Sequence, residues 1–141
     1  MARLAIIAAS LALAAPAAAS AAPVRIDLSG LRAGGALYVQ LQTRAQFMGA
    51  ARAAGHRVEA SPAGTLSVDL GDVPAGDYAV TVWHDDNGND RFDVDSATGR
   101  PLDGIASANV ENLHGPPTFD QVKVAVPAAG LALPLALHYG R

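Results

Sequence analysis

Six runs of alternating apolar and polar residues constrain this chain more than any other feature. Val24, Ile26 and Leu28 alternate with Arg25 and Asp27, and Leu37, Val39 and Leu41 with Tyr38, Gln40 and Gln42. Leu66, Val68 and Leu70 alternate with Ser67 and Asp69, and Tyr78, Val80 and Val82 with Ala79, Thr81 and Trp83. Val122, Val124 and Val126 form the fifth run, and Leu131, Leu133, Leu135 and Leu137 the sixth. A period of two sends successive side chains to opposite faces of an extended strand, so each run can bury one face and wet the other. The pattern predicts an all-β fold, an antiparallel β-sandwich of about seven strands in two sheets packed face to face.

The turn residues fall between these runs. Ser29-Gly30 and Gly34-Gly35 flank the first connection, and Pro74-Ala75-Gly76 turns into the fourth run. The short link at residues 127–130 predicts a hairpin between the last two strands. Pro134 has no N–H to give a ladder, so its strand is an edge or Pro134 turns that position to solvent. Two stretches interrupt the pattern. Residues 44–55 read as one or two helical turns with Phe47, Met48 and Ala51 inward, followed by a weak strand at 57–60. Residues 84–117 read as a long loop holding one short strand at 105–110, and a loop of that length usually binds something or is ordered by an ion. Phe119, after Gly115-Pro116-Pro117, is expected to plug one end of the core.

The N-terminus is read apart from the fold. Arg3, an apolar run at residues 4–13 and a small-residue stretch with A-x-A sites ending at Ala19 or Ala21 make a secretory signal peptide of residues 1–21. Pro16 and the Ala/Ser-rich tail suit cleavage better than a membrane anchor, which needs about 20 predominantly apolar residues. One domain at residues 22–141 remains, expected in the periplasm or outside the cell, without stable membrane insertion. The chain has 141 residues, a net charge of −3 and no cysteine. Cleavage removes Arg3 and no acid, so the mature chain is more acidic still and has no electrostatic reason to bind nucleic acid or anionic lipid. Without cysteine there are no disulfides, thiolate metal sites or lipid attachment.

Chemistry concentrates in the long loop. Asp85, Asp86, Asp90, Asp93, Asp95 and Asp103 are six of the 13 acids. Asp85, Asn87 and Asn89 follow D-x-N-x-N spacing, which brings side-chain oxygens toward one point in a tight turn. A hard cation takes six to eight oxygens, so this set suits calcium, with Arg91 giving a backbone carbonyl and Asp93 coordinating directly or through water. The loop is not an EF-hand: Asp90 stands where the turn wants glycine, Ser96 stands at the twelfth position, and no helices flank it. The plainer reading is a solvated turn in which Asp and Asn cap their own backbone.

Other signals are weaker. His56, His84, His114 and His138 show no zinc spacing. His84 beside Asp85 would suit a His–Asp pair, or simply a histidine bonded near a strand end. No G-x-S-x-G elbow is present, and the carboxylates share one loop rather than facing each other across a cleft, so no catalytic residue is assigned. Trp83, the only tryptophan, is either a sugar-stacking platform with Tyr38 or the floor of the loop that follows.

The run at residues 74–93, PAGDYAVTVWHDDNGNDRFD, resembles the bacterial exported family known as domain of unknown function 2141. Gly99-Arg100-Pro101 with Gly104, Ser107-Ala108-Asn109, residues 115–119 and residues 135–139 continue the likeness. The family pattern has glycine where Asp90 stands, and an acid after the proline where this chain has Leu102 and then Asp103. The resemblance implies an exported bacterial protein of this size and no particular activity. P-A-G-D-Y is also similar to the turn-to-strand signature of transthyretin-like and carboxypeptidase-regulatory-like sandwiches. The resulting expectation is an immunoglobulin-like or transthyretin-like sandwich. It is a non-enzymatic binding or structural module with a calcium-stabilised loop, whose partner is an unknown protein or envelope polymer. The alternative is a carbohydrate-binding module using Trp83 and Tyr38.

Overall fold

The alternating runs become the strands of two sheets. The computed structural model describes residues 20–111, 113 and 115–140; the leader expected at residues 1–21 lies outside it as far as residue 19, and so does His114. One sheet has three strands in the order β4-β1-β8, from β1 (Ala21–Leu31), β4 (Gly64–Pro74) and β8 (Leu131–Ala136). The other has five: β3 (Ala54–Val58), β2 (Ala36–Gln42), β5 (Gly76–Asp85) and β6 (Gly104–Ser107) in order, with β7 (Lys123–Val126) also paired to β5. Among the described residues eight strands form an all-β sandwich, where the alternation called for about seven.

The core lies between the sheets. Val24, Ile26 and Leu28 of β1 meet Leu37, Val39 and Leu41 of β2 and Val80 and Val82 of β5, all buried. Fully burying such a side chain stabilises by about 1.5–3 kcal/mol, so this one layer outweighs any single polar contact described below. The in-out alternation also fixes which residues face away from the core: Tyr38, Gln40, Thr81 and Trp83 stand on the outer face of the five-stranded sheet.

Four details depart from the sequence expectations. The last two runs are not a hairpin. β7 pairs antiparallel with β5, β8 pairs in parallel with β1, and the turn at residues 127–130 carries the chain from one sheet to the other. The turn is tight enough for a hairpin, but β1 offers a free edge and β5 has room beside β6. The run at residues 122–126 is split: a one-turn helix α1 (Phe119–Val122) precedes β7, and Phe119 and Val122 pack with Ala79 in a small separate cluster rather than plugging the main core. Residues 44–50 form turns instead of helix, pinned by the Gln42 amide, which faces the carbonyl oxygens of Gln46, Gly49 and Ala51 at 2.9–3.1 Å. Only Phe47 packs inward, edge-on to Phe119; Met48 is 74 % exposed at φ 62°, and Ala51 is exposed. The strands expected at 57–60 and 105–110 sit at 54–58 and 104–107. Pro134 does lie on an edge strand, exposed, as its missing N–H requires.

Candidate functional site

β5 delivers the acidic loop. Its last residues alternate like the rest of the strand, so His84 points inward with Val82 while Asp85 shares the outer side with Trp83; both are fully buried. The His84–Asp85 pair that adjacency suggests does not form, because neighbours on a strand face opposite ways.

Asp85 is the hub of the first half of the loop. Its Oδ1 accepts the N–H of Gly88 at 2.9 Å and of Asn89 at 3.2 Å, and its Oδ2 accepts that of Asp90 at 2.8 Å. Asn87 and Asn89 each accept the N–H two residues ahead, from Asn89 at 3.0 Å and Arg91 at 2.9 Å. Their amide nitrogens both donate to one oxygen, Asp93 Oδ2, at 2.7 and 2.9 Å. Asp85, Asn87, Asn89 and Asp93 are therefore gathered into one ring, and Arg91 enters it through its backbone. Asp90 takes φ 58° at the position the spacing marked for glycine, and its side chain stays exposed. Among the described residues no three His, Cys, Asp or Glu side chains cluster as a metal would need; the ring has two carboxylates and two amides.

The second half of the loop is a small hairpin. Val94 and Pro101 form a bridge, Asp95 N–H donates to Arg100 O at 2.8 Å, and Leu102 N–H donates to Asp93 O at 2.8 Å. The Thr98 backbone N–H, the Thr98 hydroxyl and the Ala97 N–H hold the Asp95 carboxyl below the usual carboxylate range. Asp103, fully buried, joins the halves: its Oδ2 accepts Trp83 Nε1–H at 2.9 Å and Asp93 N–H at 3.0 Å. The sequence showed Asp103 as one of the loop's acids and as an acid displaced by one residue in the family pattern, but not as the partner of Trp83.

Trp83 lies flat on Tyr38, with centroids 4.6 Å apart and planes 11° from parallel, and Phe92 meets Trp83 in an edge contact at 6.2 Å. The two large rings turn their faces to each other. Phe92 and Val94 are 52 % and 48 % exposed beside them.

Under the loop, His84 closes the end of the sandwich. Its Nε2 is 2.6 Å from Gly34 O, and a carbonyl can only accept, so Nε2 carries the proton and Nδ1 accepts the Tyr139 hydroxyl at 2.6 Å. Tyr139 Oη in turn accepts Arg32 N–H at 3.2 Å, while the Arg32 guanidinium lies over the Tyr139 ring and bonds Asp86 at 2.9 Å. Burial pushes the Tyr139 hydroxyl above its ordinary value, which keeps it a donor. The segment around it is held by a backbone bridge between Ile105 and His138 and by Leu137 N–H to Ser29 O. Tyr139 gave no signal as a site residue, because its partner is 55 positions away. Replacing Tyr139 with phenylalanine removes the hydroxyl that bonds both His84 Nδ1 and Arg32 N–H. We expect a loss of about 1–2 kcal/mol in denaturant unfolding with the fold retained; a midpoint equal to that of the parent would remove this relay from the account.

The family model described as uncharacterized protein conserved in bacteria, DUF2141, matches residues 26–132. The chain belongs to the DUF2141 family. The matched residues run from β1 into β8 and contain the whole acidic loop, so loop and sandwich belong to one family unit. No curated protein and no solved structure matches the chain. Among the described residues no helix is long and apolar enough to cross a membrane.

Proposed function

We propose that this DUF2141 chain is an exported, non-enzymatic binding or structural module of the periplasm or cell exterior, whose acidic loop takes one calcium ion. The observation that carries the calcium reading is the gathering of Asp85, Asn87, Asn89 and Asp93 into one ring, closed by the buried Asp85. The two Asn amide nitrogens now balance Asp93 Oδ2, and a bound ion would take their place on that oxygen. The donor set fits the ion in kind. A carboxylate offers about four acceptor positions, and Asp85 uses three of them for N–H groups. Asn87 Oδ1 and Asn89 Oδ1 each accept one N–H and retain a second lone pair. Calcium takes six to eight oxygens, so Asp85, Asn87, Asn89, Asp93 and the Arg91 carbonyl would need water to complete the shell. A bound ion would supply positive charge and hold the loop in one conformation. The leader-like residues 1–21 support export. The exposed Phe92 and Val94 give the ordered loop a surface for a protein or envelope polymer. Sugar stacking on Trp83 and Tyr38 is the weaker alternative, because those rings face each other.

Thermal melting in EDTA and in millimolar calcium, read by Trp83 fluorescence, tests this. Trp83 is linked to the ring through Asp103 and Asp93, so it reports loop order. With free calcium about 100-fold above the dissociation constant, stabilisation is about 2.7 kcal/mol, a shift of roughly 10 °C. The shift should vanish in Asp93→Ala and not be reproduced by magnesium. Identical melts with and without calcium would sink the calcium reading.

A further inference from the structure

A second polar constellation lies on the outer face of the five-stranded sheet, at its β3 edge. Strand register sets Arg57, Tyr38, Trp83 and Ile105 in one row across β3, β2, β5 and β6, and Gly55, Gln40, Thr81 and Ser107 in the next. The Arg57 guanidinium stands 5.3 Å from the Tyr38 ring centre and also pairs with Glu59. Gly55 brings no side chain to its row. A Cβ there would lie 2.6 Å from Arg52 Cδ and 2.9 Å from its Nε, so the Arg52 side chain occupies the room that glycine leaves. Glycine within a strand weakens it and often marks a close approach by another group.

The two guanidinium groups differ. Arg57 has a carboxylate partner, whereas Arg52 makes no ion pair with any described residue. With Tyr38, Gln40 and Gly55 they line an open depression of about 130 Å³. That is well short of the roughly 300 Å³ or more typical of a site for a whole small molecule. The space suits one charged group and a few attached atoms. A guanidinium is a planar fork of N–H donors that matches the paired oxygens of a carboxylate or phosphate. We propose that this depression binds an oxyanion, a carboxylate or phosphate group of a larger ligand, with Arg52 as the principal charge and Arg57 beside it. The site is separate from the Asp85 ring and does not depend on calcium.

The test titrates the protein with sodium phosphate and with sodium glucuronate at constant ionic strength, with sodium chloride as the control. Trp83 fluorescence is one readout, because Tyr38 stacks on Trp83. Backbone amide NMR shifts at residues 52–57 are the other. A saturable response to either anion, absent with chloride, is expected. Response to phosphate alone assigns a phosphate ligand, and response to glucuronate alone assigns a carboxylate. Arg52→Gln should weaken binding about tenfold, the loss of one charge-assisted contact. Gly55→Ala, which displaces Arg52, should weaken it too, while Arg100→Gln on the distant hairpin should leave it unchanged. A chloride response equal to that of the anions, no shift in either readout, or unchanged affinity in Arg52→Gln would overturn the proposal.

Discussion

Replacing Gly35 with alanine is expected to destabilise the fold by about 4 kcal/mol, enough to lower the melting temperature by well over 10 °C. Gly35 sits at φ 65°, where an L side chain is strained, and a Cβ would lie 1.9 Å from the Asp85 carbonyl oxygen and 3.0 Å from Asp86 Cα. Neither contact can be relieved by a side-chain rotation. The backbone must move, and it must move where Ala36 pairs with Asp85 at the mouth of the loop. Gly34, the preceding residue, is an internal control. It is at φ 87° with nothing within 4 Å of its would-be Cβ, so Gly34→Ala should cost only the left-handed conformation, about 1–2 kcal/mol. Parallel melts of the two variants measure the difference; equal midpoints would mean that the close approach to Asp85 costs nothing.

Asp85→Ala carries the second large effect. It removes the acceptor for three backbone N–H groups, those of Gly88, Asn89 and Asp90. Hydrogen bonds to a charged group contribute about 1.5–3 kcal/mol each, but the freed N–H groups lie in an exposed turn and can recover water. The net loss should therefore be about 3 kcal/mol rather than the full sum. Amide exchange of residues 88–90 should speed up in step, while exchange in β1 and β2 follows global stability alone. Asp85→Asn keeps one oxygen in place and should fall between parent and alanine. If Asp85→Ala melts like the parent and the loop amides keep their protection, Asp85 is not the hub described here. These losses are expected in EDTA as well, so they report the loop's own hydrogen bonding rather than ion binding.

The strands could be read in the sequence because burial on one face imposes a period of two, and the runs at residues 24–28, 37–41 and 78–82 have it without a break. Their partners could not be read. Nothing local distinguishes a turn at residues 127–130 that closes a hairpin from one that changes sheets; the free edge of β1 decides. Met48 resembled a core residue because it is apolar, and it is exposed because Gln42 bonds the surrounding carbonyls and forces a turn. In the loop, D-x-N-x-N spacing announced the ring of Asp85, Asn87, Asn89 and Asp93, since contacts two to six residues apart are local. The contacts of Asp103 with Trp83, Tyr139 with His84 and Gly35 with Asp85 stayed hidden, because only the sheet register brings each pair near.

The parallel pairing of β8 with β1 has a kinetic side. The first strand of the sandwich lies in the middle of its sheet, and one of its two neighbours is the sandwich's last strand, made after the other seven. That pairing joins Val24 to Leu131, so its loop-closure entropy is met only after nearly the whole chain is available. Until then the β1 edge from Val24 to Ser29 keeps its hydrogen-bonding groups open, with Ile26 and Leu28 alternating along it, which is a template for pairing between chains. Pro134, set opposite Asp27 in the finished sheet, withholds an N–H from the outermost edge that replaces it. The last strand thus turns an open edge of β1 into an interior one and leaves a proline-bearing edge in its place.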